Sequence, residues 1–272
     1  MRLPPLAAEV LAGYVAGSAK TLAFYPLDTL TTLREIGARP EARPLSRYYA
    51  GCGLTLLGAA PYAVIFHVAL WSCERLLRDA LIPSVYMRLL ASTAAAIAAA
   101  IVGVPFECLK HRVQLGVSGY KTPRTALLAT LRTSGVRGLY TGLGSTIARN
   151  VPYNALHFGF FDLFAGVLRA TALPVGARDL MAGAVAGALT ALLTTPLDVV
   201  NTQLQTQAIS GPLLGINRST GFAGPVDALT TLVDEGGPLV LMRGAGVRVA
   251  QYAPSALIFF VVYEAIKRRL LP

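Results

Sequence analysis

The sequence predicts an all-α membrane protein with six transmembrane helices in three tandem two-helix units. Three observations carry this. Apolar residues make up 54% of the 272 residues and charged residues only 14%, where an average soluble domain has roughly 25% charged. Residues 89–106 and 180–197 are runs of 18 without a charge, close to the roughly 20 residues that cross a hydrocarbon core. In the first, third and fifth apolar stretches a proline is followed two residues later by an acid, alternating with three further stretches that carry a proline without one.

Each span follows from the placement of charge. Residues 48–73 are uncharged apart from His67, and 249–263 form a shorter run extended by flanking aliphatic stems. Two segments are interrupted, 7–27 by Glu9 and Lys20, and 138–161 by Arg149. An isolated cation at bilayer depth is costly and faces protein or water. Spans at about 7–36, 50–76, 87–116, 142–168, 179–207 and 246–270 result. Gly13/Gly17, Gly183/Gly187 and the alanines of 94–100 read as seams for close helix packing. Cys52, Cys73 and Cys108 are odd in number and form no CxxC, so free thiols are expected rather than a disulfide or zinc framework. The start, MRLPPLAAEV, lacks the pattern of a secretory signal.

Self-similarity organises the chain. The odd spans read PLDTLTTLRE at Pro26, PFECLKHRVQ at Pro105 and PLDVVNTQLQ at Pro196. The even spans read GAAPYAVIF at Pro61, RNVPYNALHF at Pro152 and QYAPSALIFF at Pro254. Units at 1–80, 81–172 and 173–272 account for the whole chain as one transmembrane domain. A proline interrupts the helical hydrogen-bond ladder, so Pro26, Pro105 and Pro196 are expected to bend the odd helices.

This register resembles the mitochondrial carrier family over the full length. The family signature is Pro-x-acid-x-x-base on the odd helices and aromatic-acid-x-x-base on the even ones. The resemblance implies six helices around a central cavity, alternating access, the mitochondrial inner membrane, a small-molecule cargo and a monomer in the bilayer. It implies a matrix gate of Asp28, Glu107 and Asp198. Only Lys110 stands at a basic position of that ring; Thr31 and Asn201 hold the other two. Gln114 and Gln205 stand where the family places a bracing glutamine, and Arg34 and Arg112 are near enough in sequence to substitute in part. A ring with one lysine is expected to be a weak lock. On the cytoplasmic side Tyr263, Glu264 and Lys267 match fully, Asp162 lacks its base because Ala165 stands there, and Trp71 replaces the third acid. GLYTG at 138–142, YYAG at 48–51 and LMRG at 241–244 look like the family's cardiolipin sites. No cofactor, metal or nucleic acid is expected.

Within the family the chain most resembles the S-adenosylmethionine carriers. FYPLDT, VPFECLKHRVQ and YTGLGSTIARNVPYNALHF carry the likeness, with a first connection of only 35 residues between prolines against 47 and 58 in the others. NVPYNALHF and YAPSALIFFVVYE also resemble the iron carriers called mitoferrins. Contact positions about three residues before each even-helix proline are Gly58, Arg149 and Gln251. Tyr62, Tyr153, Asn154 and Tyr252 are added by helical spacing, and Lys20 and Thr21 lie on the first helix. Arg149 reads as the main cargo contact, because its planar fork suits a carboxylate and Asp162 is over three turns away on the same helix. Thr21 and Ala96 stand where those carriers place acids, so an anionic metabolite or nucleotide is an alternative cargo. A degenerate carrier with a structural or regulatory role is a second alternative. An enzyme is not expected: no triad, Walker loop, dinucleotide fingerprint or HxxxH appears.

Overall fold

A computed structural model describes residues 5–38, 44–77, 84–214 and 221–270. Six long helices run through it: α1 (Pro5–Glu35), α3 (Cys52–Leu77), α4 (Ser84–Leu115), α6 (Leu143–Leu168), α7 (Val175–Leu214) and α9 (Ala245–Leu270). Each odd-even pair is joined through a short helix, α2 (Leu45–Tyr48), α5 (Pro123–Ser134) or α8 (Pro225–Gly236). The long helices fall within a few residues of the spans read from charge, except that α7 extends further at both ends. By length and composition, four described segments are long and apolar enough to cross a membrane: Leu45–Leu77, Leu89–Leu115, Gly176–Gln207 and Pro238–Ile266. The other two long helices, α1 and α6, hold Lys20 and Asp28, and Arg149 and Asp162, within their length.

The short helices begin with local signals. Thr122 caps α5 reciprocally with Thr125, and Pro123 follows at the first position, where a missing N–H costs nothing. Pro225 plays the same part in α8, and the Asp227 carboxylate accepts from the Ala223 N–H at 2.9 Å. The starts of α3, α6 and α9 share one device. Gly51, Gly142 and Gly244 have φ of 85°, 87° and 86°, a left-handed turn that a side chain disfavours. It lets the chain reverse from the short helix into the next span.

The long helices close a ring in chain order, α1–α3–α4–α6–α7–α9 and back to α1. At one end α1, α4 and α7 also meet one another. The core sits at this convergent end. Leu33, Ile36, Leu109, Val113 and Ile209 pack there with Ala126 of α5, and Val199, Val200 and Leu204 pack with Ala228 and Leu232 of α8. Arg112 is fully buried at this end. Its guanidinium donates to the carbonyls of Gln205 and Gly138 at 3.1 Å each and to Thr130 Oγ1 at 2.7 Å. Large apolar side chains such as Val64, Val68, Ile101 and Leu193 are exposed, as expected of a surface that meets lipid.

Glycines seat aromatic rings between helices. A Cβ on Gly58 of α3 would stand 2.9 Å from Phe106 of α4, and one on Gly103 of α4 would stand 2.8 Å from Tyr62 of α3. Gly187 likewise makes room for Tyr252, 2.5 Å from such a Cβ. The Gly183/Gly187 pair is thus a socket for a ring as much as a backbone seam.

Candidate functional site

The three prolines of α1, α4 and α7 bring the acids that follow them to the convergent end. Asp28 meets Lys110 Nζ at 2.8 Å, and Gln114 Nε2 donates to the same carboxylate at 3.0 Å. Glu107 has no lysine opposite it. Asn201 donates to it weakly at 3.4 Å, and Arg149 of α6 supplies a guanidinium at 3.0 Å. Asp198 also has no partner on α1, because the Thr31 hydroxyl donates back to the Leu27 carbonyl at 2.9 Å. Arg149 reaches Asp198 at 3.5 Å, and Arg248 of α9 pairs with it closely.

The ring is therefore not a single-lysine lock. Two of its three acids take their cations from even helices. Arg112 does not stand in for the missing bases, since it serves the carbonyls described above, and Arg34 lies on the exposed face. Sequence reasoning also missed a fourth acid. Glu35 lies 5% exposed, accepts from the Thr202 hydroxyl at 2.6 Å and pairs with Arg248 at 3.4 Å. It stands nine residues after Pro26, as Gln114 and Gln205 stand nine after Pro105 and Pro196. That register was the readable signal. Gln205 bonds within the wall, to Thr146 at 3.3 Å and Asn201 at 3.5 Å.

Above the ring lie two pockets, called lobes below, whose linings share Thr55. The larger, about 310 Å³, is bordered by Gly58, Tyr62, Glu107, Lys110 and Arg149. The smaller, about 230 Å³, is bordered by Lys20, Thr21, Phe24, Asp28, Gln251 and Tyr252. Tyr153 joins through its hydroxyl, 2.9 Å from that of Tyr252. Asn154 borders neither lobe, while Asn150 borders the larger one and accepts from Arg149 Nε at 3.3 Å. The Gln251 side-chain oxygen is buried without a hydrogen-bond partner among the described residues. His157 stacks on Tyr153 with ring centres 5.9 Å apart. Ala96 is buried in the helix packing, not at either lobe.

At the far end Asp162 is exposed and Glu264 half-buried. The Lys267 side chain lies outside the described residues. No group of three His, Cys, Asp or Glu side chains able to hold a metal occurs among the described residues.

Comparison with known proteins places this arrangement. The family model for mitochondrial carrier protein matches residues 83–171 and 175–272. S-adenosylmethionine carrier 1, chloroplastic/mitochondrial, of Arabidopsis thaliana is 32% identical over 267 residues, 96% of this chain and 78% of that protein. The mitochondrial S-adenosylmethionine carrier protein of Xenopus tropicalis is 30% identical over 269 residues, 97% and 96% of the two chains. Mitoferrin-1 of Danio rerio is 28% identical over 281 residues, 96% and 84% of the two chains. These relatives are transporters rather than enzymes. The chain belongs to the mitochondrial carrier family, as a multi-pass, small-molecule transporter of the mitochondrial inner membrane.

Proposed function

We propose that the cargo is S-adenosylmethionine, moved by alternating access around the two lobes. The observation that carries this is the pairing of unlike chemistries in two adjoining pockets. The larger lobe presents a guanidinium beside a carboxylate, Arg149 and Glu107, 3.0 Å apart. The smaller presents the rings of Phe24 and Tyr252, the partnerless Gln251 oxygen and the Asp28 carboxylate. A nucleoside sulfonium bearing an amino-acid head needs all of these: π-faces and an amide for the base, a carboxylate near the cation, and a charged pair for the head. The plant and frog relatives, both named as S-adenosylmethionine carriers, support this reading.

In this reading Asp28, Glu107, Asp198, Lys110, Arg149 and Arg248 close the matrix side, and Asp162, Glu264 and Lys267 belong to the cytoplasmic side. The protein works as a monomer in the bilayer. Cardiolipin phosphates are assigned to the N-termini of α3, α6 and α9, which follow the turns at Gly51, Gly142 and Gly244, because a helix N-terminus favours an anion.

Uptake of radiolabelled S-adenosylmethionine by proteoliposomes preloaded with the same compound tests the cargo. A panel of carboxylates, nucleotides and Fe²⁺ runs alongside. Exchange of the sulfonium compound above the rest is expected; exchange of another member alone overturns the assignment. Thr21→Asp, which adds a carboxylate to the smaller lobe, is expected to raise uptake of the sulfonium cargo and lower that of any anion.

A further inference from the structure

The convergent end carries one acid more than it has cations. Among the described residues its acids are Asp28, Glu35, Glu107 and Asp198, and the cations within ion-pair distance of them are Lys110, Arg149 and Arg248. The shortfall falls on one pair. Glu35 and Asp198 both meet Arg248 through the same nitrogen, Nη1, with Asp198 the closer and Glu35 at 3.4 Å. Asp198 has two further donors, Arg149 at 3.5 Å and the Thr194 hydroxyl at 3.4 Å. The Glu35 carboxyl has the Thr202 hydroxyl at 2.6 Å. The remaining acid near Glu35 is Asp28, on its own helix. From α4, Lys110 is taken by Asp28 at 2.8 Å. Two carboxylates that are 5% and 8% exposed thus share one nitrogen. A buried carboxylate without a cation of its own is costly, and two acids at one site resist ionising together.

We infer that Glu35 binds a proton as the convergent end closes and returns it to water on that side as the end opens, so that pH sets how readily this end opens. The inference rests on the alternating access proposed above and not on the identity of the cargo. Closing takes one proton from water and forms one O–H bond on the Glu35 carboxyl; opening breaks that bond. With the proton in place three carboxylates face three cations, and Arg248 is left to Asp198. Gln114 and Gln205 hold the equivalent position in the other two repeats. A protonated glutamate is neutral and offers one donor and one acceptor group, as a glutamine amide does. Closed, Glu35 acts as a third glutamine; open, it is a fourth acid. His111 is the rival seat, since it lies near Glu107, Asp28, Lys110 and Arg149. It is 6% exposed, its Nδ1 has no hydrogen-bond partner, and no carboxylate stands within ion-pair distance of it among the described residues. A proton there would add a buried charge with no acid to hold it, whereas one on Glu35 removes such a charge.

The test reads opening against pH. Thr206 is fully buried at the convergent end. A cysteine there (Thr206→Cys, with Cys52, Cys73 and Cys108 changed to Ser) is alkylated by N-ethylmaleimide as the end opens. Dividing its rate by that of the denatured chain removes the pH dependence of the thiol itself. The ratio is expected to rise with pH, by up to about tenfold per unit for one linked proton, and to stay flat in Glu35→Gln. Asp198→Asn removes the competing acid, so its ratio is expected to be flat as well, while His111→Gln is expected to keep the slope. The infrared C=O stretch of protonated carboxyls, recorded on the whole chain in detergent, is expected to lose one component in Glu35→Gln. The inference is overturned by a flat ratio in the parent chain, by a slope that survives Glu35→Gln, by a slope lost in His111→Gln alone, or by an infrared spectrum that Glu35→Gln leaves unchanged. A flat ratio with measurable alkylation removes the proton and spares alternating access. A cysteine alkylated at no pH removes both.

Discussion

The two ends of the transport path are built on different principles. At the convergent end four acids and three bases meet, most of them largely buried. At the far end Asp162 is exposed and Glu264 half-buried, and the second long helix carries Trp71 where the repeat would set an acid. A charged group at the matrix end is therefore tied to several helices at once. One at the other end is screened. The difference teaches that a gate is defined by which acids converge, and that the helix supplying the compensating cation is free to vary. Asp28 is served from α4 by Lys110, whereas Asp198 is served from α9 and Glu107 from α6.

The largest effect is expected at Arg248. Arg248→Gln leaves Glu35 and Asp198, 5% and 8% exposed, without their close cation. Breaking a buried pair this way costs about 3–5 kcal/mol, read as a loss of thermal stability in detergent. Adding Thr31→Lys should recover much of it, since position 31 lies against Gly244 and Glu35; no recovery would show that the ring needs its cation from α9. Lys110→Gln should cost less, about 1 kcal/mol, because Asp28 is 37% exposed and keeps Gln114 at 3.0 Å. Its clearer sign is leak through the matrix side in proteoliposomes. Asn201→Lys gives Glu107 a cation independent of cargo and is expected to slow exchange in proteoliposomes. The smallest effect belongs to the opposite end, where Asp162→Asn should leave stability within about 0.5 kcal/mol. An Asp162 variant as damaging as Arg248→Gln would erase the contrast between the ends.

The fold is legible in the sequence because its signals are local and repeated. Charge-free runs mark spans, and three Pro-x-acid registers place three acids at one depth. The acids of the matrix end follow directly. Their cations do not, because ion pairs across helices are set by tertiary geometry. Arg149 stands out as a lone charge in an apolar segment, yet its partners lie 42 and 49 residues away on two other helices, and nothing in its own helix points to them. Reading it as a cargo contact alone misses its second duty. Arg248 is legible as a cavity cation only, since it sits at the edge of its apolar run. Glu35 is the instructive omission. Its position repeats that of two glutamines, but an acid there is informative only once Arg248 is known to be opposite it. Arg112 errs the other way: a base near the ring by number, it is turned into the wall by the carbonyls that claim it.

The reciprocal sockets between α3 and α4 bear on how the cavity can change shape. Phe106 sits in the space over Gly58 while Tyr62 sits in the space over Gly103, each ring entering the other helix. Two such teeth of opposite sense prevent either helix from sliding along the other without first withdrawing a ring. They act as meshed gears held at rest, and α3 and α4 must travel as one body. The slip planes of the cycle then lie at the neighbouring boundaries, above all between α1 and α3, where the two helices touch sparingly. A change of cavity shape that keeps both rings seated therefore moves α3 and α4 together.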